Sequence, residues 1–567
     1  MRRRRKLWLV IFFSLLLGGL FFYFRRGPQI AAHSVLLVTL RGTYPEAAPE
    51  GLLSRIVSGR ETSLAELLLS LRKASADARI RGIVVRVADL EIGWAKAADI
   101  RDGLTAARRA GKSTLALLEH EAGNAALPYF VASACERVYV APGGQVALRG
   151  LAARYVFLGG LWEKLHIEMD VEKMAEYKTA GDTLANKAMS PAHREMANSL
   201  LDSVNDWYIS TIAFARGIDS ETVRSTIEER APSGAQQLVE AGFADGAKYL
   251  DDLWHELGVD RNAIVTEDTY GQVPPTAVGL ETGPRIAVIL AAGTIATGES
   301  YRTSAGAVAG ADSLRAALQD AARDPRVRAI VLRVDSPGGS ALAADSVWRA
   351  VQEARRHKPV IASFSDLAAS GGYYIASNST KIAAQPATLT GSIGVVFARP
   401  NIRGLLAEWG IHTETLSRGR FAYLDDPTSP LDDGGRARVR EDVERTYELF
   451  LRRVSEGRGL ERDRVHEIGR GRVWTGTQAK ELGLVDSLGG FYHAIELAKK
   501  EAGIPAEQDP ELMFLPKRKG WWQELTESFA TTRSQALPRF VRQILERIPV
   551  GLEPGPAAIL ADAVTVQ

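Results

Sequence analysis

The hydrophobic pattern of this chain runs through the same series of elements twice. Residues 33–41 and 285–292 are short apolar strand candidates, each leading into a glycine-containing loop. Residues 63–76 and 313–322 follow, with apolar positions three and four apart, as in a helix with one buried face. Two β-branched runs come next, Ile83-Val84-Val85-Arg86-Val87 and Ile330-Val331-Leu332-Arg333-Val334. Strands alternating with helices predict βαβ units in each half. Tyr373-Tyr374-Ile375-Ala376-Ser377 then lies 244 positions after Tyr129-Phe130-Val131-Ala132-Ser133 (373 − 129), and the same offset pairs Pro386 with Pro142 and Gly394 with Gly150. Between the copies the offset drifts from 250 (313 − 63) through 247 (333 − 86) to 244, as small loop deletions would make it.

The expected organisation is therefore two α/β domains, 32–270 and 284–508, joined by a linker, 271–283, rich in Pro, Gly and Thr. Past Pro505 the repeat shows no counterpart. In the tail, 509–567, Trp521, Trp522, Leu525, Phe529, Phe540, Ile544 and Ile548 interleave with Lys517, Arg518, Lys519, Arg533 and Arg539. That pattern predicts an amphipathic helix, docked on a domain or lying on a membrane surface.

Length and charge narrow the classes. At 567 residues the chain exceeds one ordinary core, and 46% hydrophobic with 24% charged residues excludes disorder as its main state. A formal net charge of +2 gives no global basic field, so nucleic acid is not an expected partner. Cationic residues gather instead at the N-terminus, where Arg2-Arg3-Arg4-Arg5-Lys6 precede an uncharged apolar run of 18 residues, 7–24, closed by Arg25-Arg26. As a helix this run rises about 27 Å, close to the roughly 30 Å of a bilayer's hydrocarbon. It outruns the apolar stretch of about 7–15 residues in a cleaved signal, and Arg25-Arg26 stand where cleavage would begin. Residues 1–30 are thus expected to be one uncleaved transmembrane anchor. The cation bias puts the N-terminus inside and the bulk outside, which in a Gram-negative cell means inner membrane and periplasm. Cys135 is the only cysteine, which removes disulfide frameworks and multi-cysteine metal sites. No metal or cofactor is expected.

The two copies differ where chemistry would sit. Val334-Asp335 end a strand and lead into Ser336-Pro337-Gly338-Gly339-Ser340, whose glycines let backbone N–H groups approach a ligand. The first copy has Ala88-Asp89-Leu90-Glu91-Ile92-Gly93 there, without Pro-Gly-Gly. Residues 360–364 read as the next strand and 365–369 as a loop of small residues, before Ser370-Gly371-Gly372 opens a helix. Such a serine can be a plain N-cap. It also suits a nucleophile, with the N–H of Gly371 joining Gly338 or Gly339 around an oxyanion. At the 244 offset Ser370 faces Ala126, and Lys178, in Ala175-Glu176-Tyr177-Lys178, faces Ala422. One copy keeps a serine and the other a lysine. A buried lysine whose pKa falls towards neutrality can serve a serine as base, and the nine histidines offer no comparable context. Whether the pair forms within one chain or between neighbours stays open.

Asp335-Ser336-Pro337-Gly338-Gly339-Ser340, Ala369-Ser370-Gly371-Gly372-Tyr373 and Thr390-Gly391-Ser392-Ile393-Gly394 together resemble the signal peptide peptidase A family in its long, two-domain bacterial form. The resemblance runs from the anchor to about residue 508. It implies tandem Clp protease/crotonase-like α/β domains, Ser370 as nucleophile, Lys178 as general base and Ser392 as the serine that positions the lysine. It also implies cleaved signal peptides, hydrophobic and membrane-borne, as substrates, and a ring-like homo-oligomer, a tetramer for the duplicated form. One departure stands out: the family's Gly-Lys-Tyr-Lys type segment is Ala175-Glu176-Tyr177-Lys178 here, aligned through Tyr and Lys alone. The rival expectations are a catalytically silent scaffold or membrane-quality-control adaptor, and a crotonase-like acyl-CoA enzyme.

Overall fold

A computed structural model describes residues 28–46, 62–303, 306–516 and 565–566. The expected anchor, up to Gly27, and nearly all of the expected amphipathic tail lie outside the described residues. Among the described residues, no helix is long and apolar enough to cross a membrane.

The duplication is visible in strand order. In the first repeat six parallel strands lie side by side as Gly246–Ala247, Arg137–Val140, Ser113–Leu118, Ile80–Leu90, Ser34–Gly42 and Ile264–Thr266. The second repeats the order with Ser487–Leu488, Lys381–Ala384, Val360–Ala369, Val327–Ser336, Arg285–Ala292 and Glu511–Leu515. The central strands are apolar almost without alternation because helices cover both faces: Ile83, Val84, Val85 and Val87, like Ile330, Val331, Leu332 and Val334, are fully buried. The helix Leu64–Ala76 starts where Ser63 and Glu66 close a capping box.

Two expectations change. Glu511–Leu515 extends the second sheet past residue 508 and is the counterpart of Ile264–Thr266, so the repeat continues beyond Pro505. Short edge strands carry too little pattern to show this in the sequence. The segment 365–369, expected as a loop, continues the strand Val360–Ala369, because Leu367, Ala368 and Ala369 pair with Leu389–Gly391. The segment 271–283 is tied back to the first repeat: Lys73 Nζ donates to the carbonyl of Tyr270, just before it, at 3.2 Å and to those of Gly271 and Val273 within it at 3.1 and 3.0 Å.

The repeats are tied together in two places. Each lends one strand to a two-stranded antiparallel ribbon, Glu168–Lys173 against Val396–Asn401. On the other side, the helix Trp94–Arg109 of the first repeat docks on the strands of the second. There Arg333, 1% exposed, donates to both oxygens of Glu46 at 3.0 Å, to Asp99 at 2.6 Å and to Ser363 and Ser365 at 3.1 and 3.0 Å. Removing one partner of such a network leaves an uncompensated buried charge, which costs roughly 3–5 kcal/mol.

Candidate active site

The ribbon explains how a lysine of one repeat reaches a serine of the other. Its register pairs Lys173 with Val396, and Met174 N donates to Val395 O at 3.0 Å, so the chain beyond Lys173 is delivered beside Ser392-Ile393-Gly394. Tyr177 N then donates to Arg470 O at 3.2 Å. The Tyr177 ring lies under the Arg472 guanidinium, 4.7 Å away, and its hydroxyl donates to Glu195 at 2.9 Å. Glu176, the departure in this segment, pairs with Arg470 across the repeats. Gly471 lets the Lys178 backbone pass: a Cβ there would lie 2.5 Å from Lys178 N. A Cβ on Gly394 would lie 3.3 Å from Lys178 Cδ, against the lysine stem. Gly471 carried no sequence signal, being one glycine among 52.

Lys178 and Ser370 meet within one chain. Lys178 Nζ lies 3.1 Å from Ser370 Oγ, 2.9 Å from Ser392 Oγ and 3.0 Å from Ser392 O. All three residues are buried. Burial lowers the lysine pKa from 10.5 to about 7, with no neighbouring charge contributing. A neutral amine here would donate its two hydrogens to Ser392 and accept the Ser370 hydroxyl on its lone pair. The complementary positions are inert: Ala126 is packed in the helix Ala126–Ala132, and Ala422 is exposed.

Ser370 stands at the N-cap position without serving as a side-chain cap. Its side chain makes no capping bond to the helix Gly371–Ala376, and its backbone sits at φ +54, ψ −117. A serine rarely takes that conformation, which is held by the Ser370 N–H donating to Gly391 O at 2.9 Å. Ser392 is likewise at φ +50, fixed by its N–H donating to Arg472 O at 2.8 Å.

The glycines meet as the sequence predicts, with one reassignment. A Cβ on Gly338 would lie 2.6 Å from Gly371 N, and one on Gly371 would lie 3.2 Å from Gly339 N, so both loops must be bare to approach. Among the described residues the N–H groups of Gly339 and Gly371 have no protein acceptor. The Gly338 N–H, expected as a possible oxyanion donor, instead donates to Ser336 Oγ at 3.2 Å. Gly338 shapes the loop through its φ of +106, and its carbonyl accepts from Ile295 N at 2.7 Å. Beside Ser370 opens a small, mostly apolar pocket lined by Ala341, Ala344, Tyr374, Val395, Val396, Thr446 and Phe450, with Tyr374 and Phe450 stacked at 4.5 Å. Among the described residues no cluster of His, Cys, Asp or Glu could hold a metal ion.

The model of one protein family, Peptidase family S49, matches the chain over residues 106–263 and again over 352–505. "Serine protease SPPA, chloroplastic" of Arabidopsis thaliana is 33% identical over 493 residues, 85% of this chain and 71% of that protein. "Protease 4" of Salmonella typhi is 28% identical over 535 residues, 90% of this chain and 81% of that protein. Among solved structures, a ClpP1 mutant from Listeria monocytogenes aligns with a TM-score of 0.24 and 15% identity, over 37% of this chain and 94% of that one. The class is thus serine endopeptidase. Within it, this chain belongs to Peptidase family S49 and carries two tandem copies of the family's domain.

Proposed function

We propose that this endopeptidase hydrolyses hydrophobic signal peptides left in the membrane, using Ser370 as nucleophile and Lys178 as general base. The observation that carries the reading is the buried 3.1 Å contact between Lys178 Nζ and Ser370 Oγ, with the amine's other contacts going to uncharged Ser392. Neutral Lys178 takes the Ser370 proton as the oxygen attacks the scissile carbonyl, and the oxyanion is received by the N–H groups of Gly339 and Gly371. The lysinium then protonates the leaving amine. Water, deprotonated by the same lysine, releases the acyl-enzyme and restores Ser370. Ser392 holds the amine so that its lone pair faces Ser370.

The apolar pocket supports a small side chain just N-terminal to the scissile bond. Phe450→Ala is expected to raise kcat/KM for leucine over alanine at that position by about tenfold, read with a pair of fluorogenic peptides. The uncharged run 7–24, flanked by seven cations, supports an anchor that keeps the site at the outer face of the inner membrane. A Clp protease/crotonase-like fold assembled as a homotetramer is part of the same reading. Exposed apolar residues near the ribbon support self-association: Leu161 is 47%, Ile411 47% and Trp409 76% exposed.

A fluorophosphonate probe tests the reading. It should attach to Ser370, located by peptide mapping, and Lys178→Ala should slow the attachment. Labelling that persists in Ser370→Ala would sink the dyad.

A further inference from the structure

The helix Trp94–Arg109 belongs to the first repeat, yet its N-terminus is capped by the second. Its N-cap position is Gly93, which has no side chain to offer. Asp366 takes over: its Oδ2 accepts from Gly93 N at 3.1 Å and its Oδ1 from Lys96 N at 2.9 Å. A Cβ on Gly93 would fall 2.2 Å from Asp366 Cγ, so only glycine admits this carboxylate. In the same turn, Lys96 Nζ lies 2.7 Å from Asp335 Oδ2 and 3.7 Å from Asp366 Oδ2, with the lysine side chain only 12% exposed. Burial works against its charge, but Asp335, Asp366 and Glu46 outweigh it and raise its pKa.

The two aspartates occupy comparable points on the strands that end at the site. Asp335 precedes Pro337-Gly338-Gly339 on Val327–Ser336, and Asp366 precedes Ser370 on Val360–Ala369. The ladder between these strands is interrupted there. Val334 pairs with Phe364, but the next pair is Ser336 with Ala368, so Ser365-Asp366-Leu367 bulge opposite Asp335 alone. A bulge re-aims the strand beyond it, and this one sets the direction in which the chain arrives at Ser370. Across the gap the strands are held by side chains: Asp335 Oδ1 accepts from Leu367 N at 3.2 Å, and Lys96 joins both carboxylates.

We infer that Lys96 is a positioning residue for the peptidase reaction. By bridging Asp335 and Asp366 it fixes the spacing between the glycine loop and the serine strand, so the site is competent only while the first repeat's helix is docked. The inference rests on the Ser370–Lys178 reading above. It gives the first repeat a second contribution to the site, separate from Lys178. Arg333 also joins the helix to both strands, but ahead of the bulge, through Glu46, Asp99, Ser363, Phe364 O and Ser365, whereas Lys96 acts at the bulge itself. A displacement of about 1 Å between oxyanion donors and nucleophile is enough to cost about a hundredfold in rate.

The test uses the full-length chain, a fluorogenic peptide and the fluorophosphonate probe, below the thermal midpoint of every variant. Lys96→Met is expected to lower kcat at least about tenfold with KM within about twofold, and to slow labelling of Ser370 in parallel. Lys96→Arg should recover most of kcat, because a guanidinium can span both carboxylates. A kcat within about twofold of wild type in Lys96→Met, with only the thermal midpoint lowered, would make the bridge merely structural and overturn the inference. So would an arginine variant as slow as the methionine one. If Lys96→Met does not accumulate as folded protein, Asp335→Asn is read against the same outcomes, since its amide oxygen can still accept from Leu367 N while the charge 2.7 Å from Lys96 Nζ is gone. Turnover or labelling retained by Ser370→Ala would instead fail the dyad reading, whatever Lys96 does.

Discussion

Replacing Lys178 with methionine is expected to lower kcat by about a thousandfold or more while making the folded protein more stable at neutral pH. The loss follows from removing the group that the proposed mechanism uses to take the Ser370 proton, 3.1 Å from its hydroxyl, a contribution of about 10²–10⁴. The gain follows from linkage. Burial brings the lysine pKa from 10.5 to about 7, so between those values the unfolded chain binds more protons than the folded one, and stability rises with pH. Lys178 therefore costs the fold most at and below pH 7, roughly 5 kcal/mol at about 1.4 per pKa unit, and nothing above pH 10.5. Methionine keeps the apolar stem and removes that cost. It also leaves Ser392 Oγ and O without the amine, which returns about 1–3 kcal/mol. The denaturant midpoint of Lys178→Met should exceed that of wild type most at pH 6 and fall to it or below it towards pH 10. A variant less stable than wild type at pH 6, or one within tenfold of its kcat, would contradict this role for the lysine.

The second large effect is on the pH profile. In the proposed dyad it is the neutral form of Lys178 that accepts the proton, so kcat/KM should rise tenfold per pH unit below about 7 and flatten above it, leaving activity at pH 5 about a hundredfold below the plateau. Because burial rather than a neighbouring cation lowers this pKa, the midpoint should hardly move with added salt. A flat profile from pH 5 to 9 would be incompatible with a lysine base. A midpoint that climbs steeply with ionic strength would point to a charged neighbour instead of desolvation.

Ser370 and Lys178 could be singled out because the chain carries its own comparison, each standing opposite an alanine in the other copy, whereas Ser392 came only from the family resemblance. Alanine at 126 and 422 marked the pair before any geometry was known. The glycine loops were legible too, since their spacing has meaning even in one dimension. What the sequence withheld depends on contacts between distant segments. That Gly338 turns its N–H to Ser336, leaving Gly339 and Gly371 as the free donors, is a matter of peptide orientation that glycine leaves unspecified. Gly93 had no reading of its own in the sequence, whereas its bareness admits Asp366 from 273 residues away. The strand continuing through Ser365–Ala369 was hidden by small residues that suit a loop equally well. Glu511–Leu515 was hidden by brevity, and only the ladder to Arg285–Ala292 identifies it.

The ribbon of Glu168–Lys173 and Val396–Asn401 has one more consequence. A chain with a single repeat could form it only by finding a second molecule, and its serine and lysine would separate on dilution. Here both strands are on one chain, so the arm meets its partner at an effective concentration set by the intervening segment and not by how much protein is present. The encounter of Lys178 with Ser370 is unimolecular. One serine and one lysine per chain then suffice for that contact, with Ala126 and Ala422 at the two facing positions.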